Sequence, residues 1–583
     1  MHEQPAPKDT ADDNYTLEFL RVKGLAERGV AHAQHSLGFM YFNGQGVRQS
    51  YELAASWYRM AAASGLAHAQ YNLGLMYQKG QGVPQSEREA ALWFEQAADG
   101  GYAPAQYNLG WMYAKGQGMP QDTKMALYWF TKAAEQGDPG AQNNLGMMFD
   151  TGKGVPQDYE KAVFWYRKAA EQGYARAQFN LALRYDNGQG VPRDPQVAVG
   201  WFRKAADQGH APAQFNLALR YDKGQDVQQD TQKAIHWYRR AAEQGHASSQ
   251  FNLGLIYDNG QGVPRNEGFA MEWYRRAADQ GHAGAQNNIG MHYLHGQGVP
   301  LDYTQARHWF EMAAEQNFAA AQYHLGQMAD NGQGCEPDPE TACHWYRRAA
   351  LQGHVRAQFD LGLRCEAGKG VPRDLQAALS WYVRAAEQDY LPAQTMLGQL
   401  YERDDLGIVD LDKSHQWYLR AAEQGQVQAQ FALGLRFDNG LGVARDFTAA
   451  FAWYLRAARQ GHARAQFNIG QMYAAGQGVE RNLEEAQHWL EQARQSGSEA
   501  AGRFLRQLAA RRQLQPKSVS WRGSTPEALL PEGPAGTQVW KARPILRPVL
   551  REEDPVLDFD PTRPLVDLLK IKKQSGLSTD IDL

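Results

Sequence analysis

A tryptophan recurs at a constant interval of 36 residues through most of this 583-residue chain. The series is Trp57, Trp93, Trp129, Trp165, Trp201, Trp237, Trp273, Trp309, Trp345, Trp381, Trp417, Trp453 and Trp489. A glutamine after a small residue keeps the same interval, from Gln34 to Gln466, and the two series define thirteen units between residues 33 and 500. A fixed period of this length predicts a repeat protein, in which each unit completes its core against its neighbours.

The first part of each unit has the pattern of an amphipathic helix. In the unit that begins at residue 141, Ala141, Leu145 and Phe149 are spaced so that they share one helix face. Gly146 lies beside this stripe, and the equivalent position is always glycine or alanine. Because a glycine inside a helix costs roughly 0.5–1 kcal/mol, we expect it to allow close approach of a neighbouring helix.

A glycine-rich turn then separates the first helix from a second. Gly152 is suited to a left-handed helix end, and Asp158 is suited to the N-cap of the next helix. Ala162, Trp165 and Tyr166 begin the apolar face of this second helix. The cap position carries serine, aspartate or asparagine in every unit: Ser50, Ser86, Asp122, Asp158, Asp194, Asp230, Asn266, Asp302, Asp338, Asp374, Asp410, Asp446 and Asn482.

These patterns predict an all-α fold, a right-handed superhelical α/α solenoid of thirteen 36-residue helix-turn-helix repeats with a disordered or extended C-terminal tail. The ends of such a stack need polar caps. The expected organisation is a disordered N-terminus (1–15), an N-terminal capping helix (16–32), the repeats (33–500), a C-terminal capping helix (501–512) and a proline-rich linker with a short docking segment (513–583).

The repeated motif resembles the Sel1-like repeat family, a relative of the tetratricopeptide repeats. The resemblance is carried by the Gly-x-Gly-Val turn at 152–155, by Asp158, by Trp165-Tyr166, by Ala169-Ala170 and by Gln172-Gly173. Members are superhelical scaffolds and adaptors, so the resemblance implies binding of partner proteins. Cysteine-rich members described as penicillin-binding or β-lactamase-like have a disulfide in each repeat, whereas this chain has three cysteines.

Two units depart from the motif in their turns. In the eleventh unit, residues 404–409 replace the glycine pair, and in the sixth unit Asp226 and Gln228 replace glycine and proline. We interpret the eleventh turn as a kink or soft joint at residues 402–412. The alternative is a stack that tolerates the change without bending.

Charge and composition argue against several kinds of partner. The formal net charge is −4 without a long run of like charge, so we expect no general electrostatic binding of nucleic acid. We find no apolar run that approaches the roughly eighteen residues of a membrane span and no classical signal peptide. Cys335, Cys343 and Cys365 are too few for a disulfide framework. We therefore predict a cytoplasmic protein, bacterial by its family resemblance.

Signatures of catalysis are absent from the sequence, which has no Gly-x-Ser-x-Gly, His-Glu-x-x-His, Ser-x-x-Lys or phosphate-binding loop. The Gly-x-Gly turns follow a helix rather than a strand, which favours a capping role. His292, His295 and His324 could hold zinc, with ordinary surface histidines as the alternative. We predict a non-enzymatic protein with no cofactor, no metal and no small-molecule substrate.

Two polar series mark a candidate partner-binding face on the first helices, which line the concave side of such solenoids. Asparagine recurs three residues after the repeated alanine, at Asn72, Asn108, Asn144, Asn180, Asn216, Asn252, Asn288 and Asn468. Arginine lies one helical turn further on, at Arg184, Arg220, Arg364 and Arg436. These groups could bind the backbone and carboxylates of a peptide. The alternative is that each asparagine bonds within its own hairpin.

Exceptions to the regular pattern are candidates for specificity. Trp111 replaces the usual leucine or methionine, and we predict that it is an interface anchor if it is exposed. His324, Asp360 and Met396 replace the repeated asparagine in three later units.

The C-terminal tail differs in kind from the repeats, because nine of the chain's 25 prolines follow residue 513. Phe559 lies in an acidic-aromatic run, and Leu565, Leu568 and Leu569 then have helical spacing. This arrangement has the general form of a docking motif. Three interpretations stay open: an inert tail, an extra cap folded onto the solenoid, or a contact with another protein.

The function that these observations favour is a non-catalytic scaffold or adaptor that binds partner proteins or peptides on the solenoid surface. One alternative is a cell-wall-directed hydrolase or β-lactamase-like enzyme, which requires titratable groups that converge in a pocket. A second alternative is an autoinhibited regulatory module in which residues 556–573 occupy the chain's own groove.

Overall fold

The computed structural model describes residues 10–513 of the chain, apart from residues 404–406 and 408. Every regular element in this part is an α-helix, and no strand occurs in it. The described residues fall into two compact units, one ending at Asn266 and the other beginning at Glu267. The predicted all-α class and the repeated helical hairpin are confirmed within each unit.

The first unit contains the capping helix and the helices of the first six repeats, followed by the first helix of the seventh. These are α1 (Thr10–Glu27), α2 (Ala31–Asn43), α3 (Tyr51–Ala63), α4 (Ala67–Lys79), α5 (Glu87–Asp99), α6 (Ala103–Lys115), α7 (Thr123–Glu135), α8 (Pro139–Thr151), α9 (Tyr159–Glu171), α10 (Ala175–Asn187), α11 (Pro195–Asp207), α12 (Ala211–Lys223), α13 (Thr231–Glu243) and α14 (Ala247–Asn259). Even-numbered helices are the first helices of repeats, and odd-numbered helices from α3 onward are the second helices.

The second unit begins with the second helix of the seventh repeat and ends with a capping helix. Its helices are α15 (Glu267–Ala278), α16 (Ala283–His295), α17 (Tyr303–Glu315), α18 (Ala319–Asn331), α19 (Pro339–Leu351), α20 (Val355–Ala367), α21 (Leu375–Glu387), α22 (Leu391–Leu400), α23 (Leu411–Glu423), α24 (Val427–Asn439), α25 (Phe447–Arg459), α26 (Ala463–Ala475), α27 (Leu483–Gln495) and α28 (Glu499–Gln513). None of the helices described in either unit is both long and apolar enough to cross a membrane.

The predicted N-caps begin the second helices. The Asp158 carboxylate accepts a hydrogen bond from the backbone N–H of Lys161 at 3.0 Å. The same kind of bond is made by Ser50, Ser86, Asp122, Asp194, Asp230, Asp302, Asp338, Asp374, Asp410, Asp446 and Asn482. Each cap satisfies an N–H group that the first turn of a helix leaves without an intrahelical partner.

The turn between the two helices depends on its glycine pair. Gly80 ends α4 in the left-handed conformation, and a Cβ on Gly82 would lie 2.2 Å from the Tyr51 carbonyl of the preceding repeat. In the sixth repeat, Asp226 takes the second position with φ of 60°, and its carboxylate is paired with Arg220. That turn is therefore kept in a conformation that residues other than glycine seldom adopt.

In most first helices, a glycine makes room for an aromatic ring of the second helix, which is the close approach that the sequence predicted. A Cβ on Gly146 would lie 2.7 Å from the Tyr166 ring. Tyr166 is 1% exposed, whereas Trp165 is half-buried and packs on the core formed by α7 and α8. The tyrosine therefore packs inside its own hairpin, and the tryptophan covers the junction with the repeat before it.

A buried glutamine joins each first helix to the second helices on both sides. Gln178 in α10 is 4% exposed. Its Nε2 donates to the Ala170 carbonyl at the end of α9 at 3.1 Å. Its Oε1 accepts from Nε2 of Gln208, just past the end of α11, at 2.8 Å. One side chain thus links three consecutive helices.

This glutamine ladder continues through both units. The bond to the alanine carbonyl eight residues earlier is made by Gln34, Gln70, Gln106, Gln142, Gln178, Gln214, Gln250, Gln286, Gln322, Gln358, Gln394, Gln430 and Gln466. The bond from the glutamine thirty residues later is also accepted by Gln106, Gln142, Gln214, Gln286, Gln322, Gln358, Gln394 and Gln430. In the sequence, we used these glutamines only to define the 36-residue period and did not predict their hydrogen bonds.

The eleventh repeat has a shortened first helix. α22 ends at Leu400 after 10 residues, where the other first helices have 13. Part of the substituted turn lies outside the described residues. Beyond it, Arg436 of the next repeat donates to the Glu402 carboxylate and the Ser414 hydroxyl, which ties the turn to α24. The kink expected at residues 402–412 stays a prediction.

The N-terminal helix differs in both of its ends from the capping helix that we expected at residues 16–32. α1 begins at Thr10, within the segment 1–15 that we expected to be disordered, and it ends at Glu27 rather than near residue 32.

The C-terminal capping helix was expected at residues 501–512. The helix in this position, α28, spans Glu499–Gln513. Arg503 and Arg506 on it are exposed, as a polar cap requires. The tail residues predicted to dock, Phe559, Leu565, Leu568 and Leu569, lie outside the described residues.

The glutamine ladder generates a stability prediction. Gln178→Met keeps the shape of the side chain and removes both hydrogen bonds, which leaves the buried Ala170 carbonyl without this donor. We expect the free energy of unfolding to fall by about 2 kcal/mol, measured by urea denaturation followed by circular dichroism.

Gln208→Ala is the matched control, because Gln208 is exposed and contributes only the second bond of the ladder. It should cost less than about 1 kcal/mol. If Gln178→Met unfolded at the same urea concentration as the unchanged chain, the ladder would not hold the hairpins together.

Candidate functional site on the first-helix face

The repeated asparagines lie between the first helices of consecutive repeats. Nδ2 of Asn72 is 3.0 Å from Nε2 of His35, and Nδ2 of Asn180 donates to Oδ1 of Asn143 at 3.0 Å. The same spacing of 37 residues pairs Asn108 with Tyr71, Asn144 with Tyr107, and Asp360 with Tyr323. The bonds therefore cross to the preceding repeat, which neither of our two sequence interpretations anticipated.

The other members of the series are also held inside the chain or partly covered. Asn216 is buried and donates to the Pro212 carbonyl at 3.0 Å. Asn252 is half-buried, and Asn288 accepts from Asn287 at 3.3 Å. Since an asparagine amide can make up to four hydrogen bonds, the half-buried members keep further donors and acceptors for a partner.

The arginines that we predicted to bind a partner lie inside the repeats rather than exposed on the first-helix face. Side chains of Arg184, Arg220, Arg364 and Arg436 are 4%, 6%, 11% and 1% exposed. Each guanidinium binds a carboxylate 34 residues earlier, on Asp150, Asp186, Asp330 and Glu402 respectively. These pairs connect consecutive repeats, so the guanidinium groups are committed within the chain.

Trp111 in α6 is half-buried. Its ring packs beside two consecutive hydrophobic clusters, one around Leu109 and the other around Leu145. Among the other exceptions, Asp360 accepts from the Tyr323 hydroxyl at 2.9 Å, and burial raises the pKa of its carboxyl. Met396 is half-buried beside the core of α20 to α22.

Histidines cap several first helices. Nδ1 of His210 accepts from the Ala213 N–H at 3.3 Å, while its ring lies 5.0 Å from the Phe179 ring of the preceding first helix. The same cap is formed by His246, His282, His354 and His462. Burial, with help from Arg176, lowers the pKa of His210 to about 4.

Two of the three histidines that the sequence offers for metal binding have a ring nitrogen within hydrogen-bond distance of other groups of the chain. His292 is buried, with Nδ1 2.7 Å from the Gln297 carbonyl, and Nδ1 of His324 lies 3.2 Å from Gln327. Within residues 10–513, apart from the undescribed turn, no group of three histidine, cysteine or acidic residues could hold a metal ion. Cys343 and Cys365 are buried and form no disulfide.

A cleft of about 380 Å³ opens on the first-helix face of the second unit, between α22, α24 and α26. Thr395 and Ala432 lie in it, together with Phe431 and Leu435. Arg464, the second residue of α26, is exposed at the cleft. The residues that line the cleft include no other arginine or lysine, and no aspartate or glutamate. The cleft thus combines apolar walls with a cation.

The described geometry defines an α/α repeat protein built from helical hairpins. The family model for the Sel1 repeat matches thirteen consecutive segments: 31–66, 67–102, 103–138, 139–174, 175–210, 211–246, 247–282, 283–318, 319–354, 355–390, 391–426, 427–462 and 463–498. The chain therefore belongs to the Sel1 repeat family, with each segment beginning two residues before our sequence-based unit.

A solved structure agrees with this assignment. The crystal structure of a protective antigen present in uropathogenic Escherichia coli strains, which displays an SLR fold, is 33% identical. The match covers 87% of this chain and 99% of that chain with a TM-score of 0.58. A Sel1 repeat protein from Oxalobacter formigenes is 32% identical over 56% of this chain and 97% of that chain, with a TM-score of 0.44. No curated protein matches the sequence.

The histidine caps predict a pH dependence of stability. Between the ordinary histidine pKa of 6.5 and the folded value of about 4, the unfolded chain binds a proton at His210 that the folded chain does not. The free energy of unfolding therefore falls as the pH is lowered through this window. One residue contributes up to about 3 kcal/mol, since each pKa unit is worth about 1.4 kcal/mol.

His210→Asn tests this prediction, because asparagine caps a helix without titrating. Denaturation of both proteins at pH 7, 5.5 and 4.5 should show a stability difference that grows in favour of the variant as the pH falls. Stability curves that run parallel across the whole range would contradict the assignment.

Proposed function

We propose that this protein is a cytoplasmic interaction scaffold that binds segments of partner proteins on its first-helix face. The observation that carries the proposal is that hydrogen bonds between consecutive repeats fix the polar side chains of this face. The asparagine pairs fix polar side chains between repeats, while the half-buried amides keep unused hydrogen-bonding capacity. A preformed surface of this kind loses little conformational entropy when a partner binds.

The proposed contact residues differ from the full sequence-based set. Asn72, Asn108, Asn144, Asn180, Asn252 and Asn288 stay in it as half-buried amides, together with Trp111. The buried arginines and Asn216 are assigned to the packing between and within repeats. Exposed arginines at the second position of first helices take the place of the buried ones as cations that can meet a partner's carboxylates.

The cytoplasmic location is proposed from the cysteines. Cys343 and Cys365 are buried and unpaired, and free thiols of this kind are typical of a reducing compartment.

The proposal is tested by charge reversal on the first-helix face, with the full-length chain as bait in a lysate of the source organism. The test variant changes three exposed arginines, each the second residue of a first helix: Arg176→Glu, Arg356→Glu and Arg464→Glu. We expect recovery of specifically bound proteins to fall at least about tenfold, because like charges across an interface are strongly unfavourable.

The control makes the same chemical change on second helices. It reverses three exposed arginines that each occupy the ninth position of a second helix: Arg167→Glu, Arg239→Glu and Arg347→Glu. Both variants should keep the helical content of the unchanged chain. Loss of partners from the control, with full recovery by the test variant, would place binding on the opposite face and refute the proposal.

A further inference from the structure

The cleft in the second unit occupies a position where one asparagine pair of the first-helix face is missing. At several other junctions, a side chain of one first helix bonds to the side chain 37 residues later, as Asn143 does with Asn180 and Tyr323 does with Asp360. Between α22 and α24, the residues at the same spacing are Thr395 and Ala432.

Neither of these two side chains can bridge the gap. Ala432 has only a methyl group, and the Thr395 hydroxyl donates to the Leu391 carbonyl of its own helix at 3.1 Å. Because both members of the pair are small, the space that an amide and an aromatic ring fill in other repeats is left open as the cleft. The opening is therefore a local property of this part of the chain rather than of every repeat.

The walls of the cleft are suited to a bulky apolar side chain. Phe431 and Leu435 lie on α24, and Tyr418 closes the cleft from α23. The Phe431 ring is itself fixed against His462, with ring centroids 4.4 Å apart. A volume of about 380 Å³ is at the small end of the range for binding pockets, which fits a side chain or two rather than a folded surface.

The positive charge at the cleft favours a bound segment in which a negatively charged residue lies next to the apolar side chain. Arg464 is exposed, and no aspartate or glutamate is among the residues that line the cleft. A carboxylate next to the inserted side chain would therefore meet a cation with no competing acid in the lining. A lysine or arginine in the same place would be repelled.

We propose that this cleft binds a segment of a partner protein that carries a leucine or aromatic side chain next to a carboxylate. This inference rests on the proposed scaffold function and adds to it the location and the chemistry of one binding position. The apolar side chain fills the space between Thr395 and Ala432, and the carboxylate binds Arg464.

The experiment titrates full-length protein into a fluorescein-labelled synthetic peptide, Gly-Ser-Leu-Asp-Phe-Asp-Ser-Gly, and follows fluorescence anisotropy. Two further peptides serve as references, one with asparagine for both aspartates and one with alanine for leucine and phenylalanine. We expect saturable binding of the first peptide and at least about fivefold weaker binding of each reference, because each lacks one half of the recognised chemistry.

Variants of the protein locate the binding. Ala432→Asn restores the residue found in most other repeats and narrows the cleft, so we expect about fivefold weaker binding with an unchanged unfolding midpoint. Arg464→Gln should weaken binding about fivefold to tenfold and remove most of its salt dependence, whereas Arg464→Lys should retain both. The lysine variant separates loss of charge from loss of structure.

The outcomes separate this inference from the proposed function. Binding that is unchanged in both Ala432→Asn and Arg464→Gln but lost in the Arg176→Glu, Arg356→Glu and Arg464→Glu variant overturns the cleft and leaves the first-helix face as the receptor. Binding that survives in all three variants counts against the cleft and against the face. Absence of saturable binding up to about 1 mM protein, the weakest range of specific affinity, also overturns the inference.

Discussion

The fold depends on one buried amide side chain per repeat. A glutamine such as Gln178 satisfies a carbonyl at the end of one second helix and accepts a bond from the side chain that follows the next second helix. A buried amide is costly unless its hydrogen bonds are made. The bonds can be made only when three consecutive helices hold their relative positions, so the glutamine fixes the geometry in which each first helix is presented.

Three kinds of polar contact then join neighbouring first helices and turns within each unit. The asparagine pairs connect first helices, the buried arginines bind carboxylates of the preceding repeat, and the histidine caps lie against aromatic rings of the preceding first helix. Most of the regular polar residues are used in this way. Recognition is therefore expected at the exposed positions and at the places where the regular contacts are interrupted, as they are at Thr395 and Ala432.

The repeat period, the helix ends within the regular repeats and the caps could be predicted from the sequence because they depend on local signals. Gly152 and Asp158 act on residues within a few positions of themselves, and the structure confirms both. The roles of Asn180 and Arg184 could not be predicted in the same way. Their partners, Asn143 and Asp150, are 37 and 34 residues away, so periodicity alone did not distinguish a contact between repeats from an exposed polar row.

The most direct test of the account compares two exposed glutamines of the second unit, each replaced in turn by the photo-crosslinking residue benzoylphenylalanine. Gln428 is the second residue of the first helix α24 and lines the cleft, whereas Gln416 lies on the second helix α23. If the partner binds on the first-helix face, irradiation of the complex should crosslink the partner to position 428 and not to position 416. Crosslinking at 416 without crosslinking at 428 would contradict binding on this face.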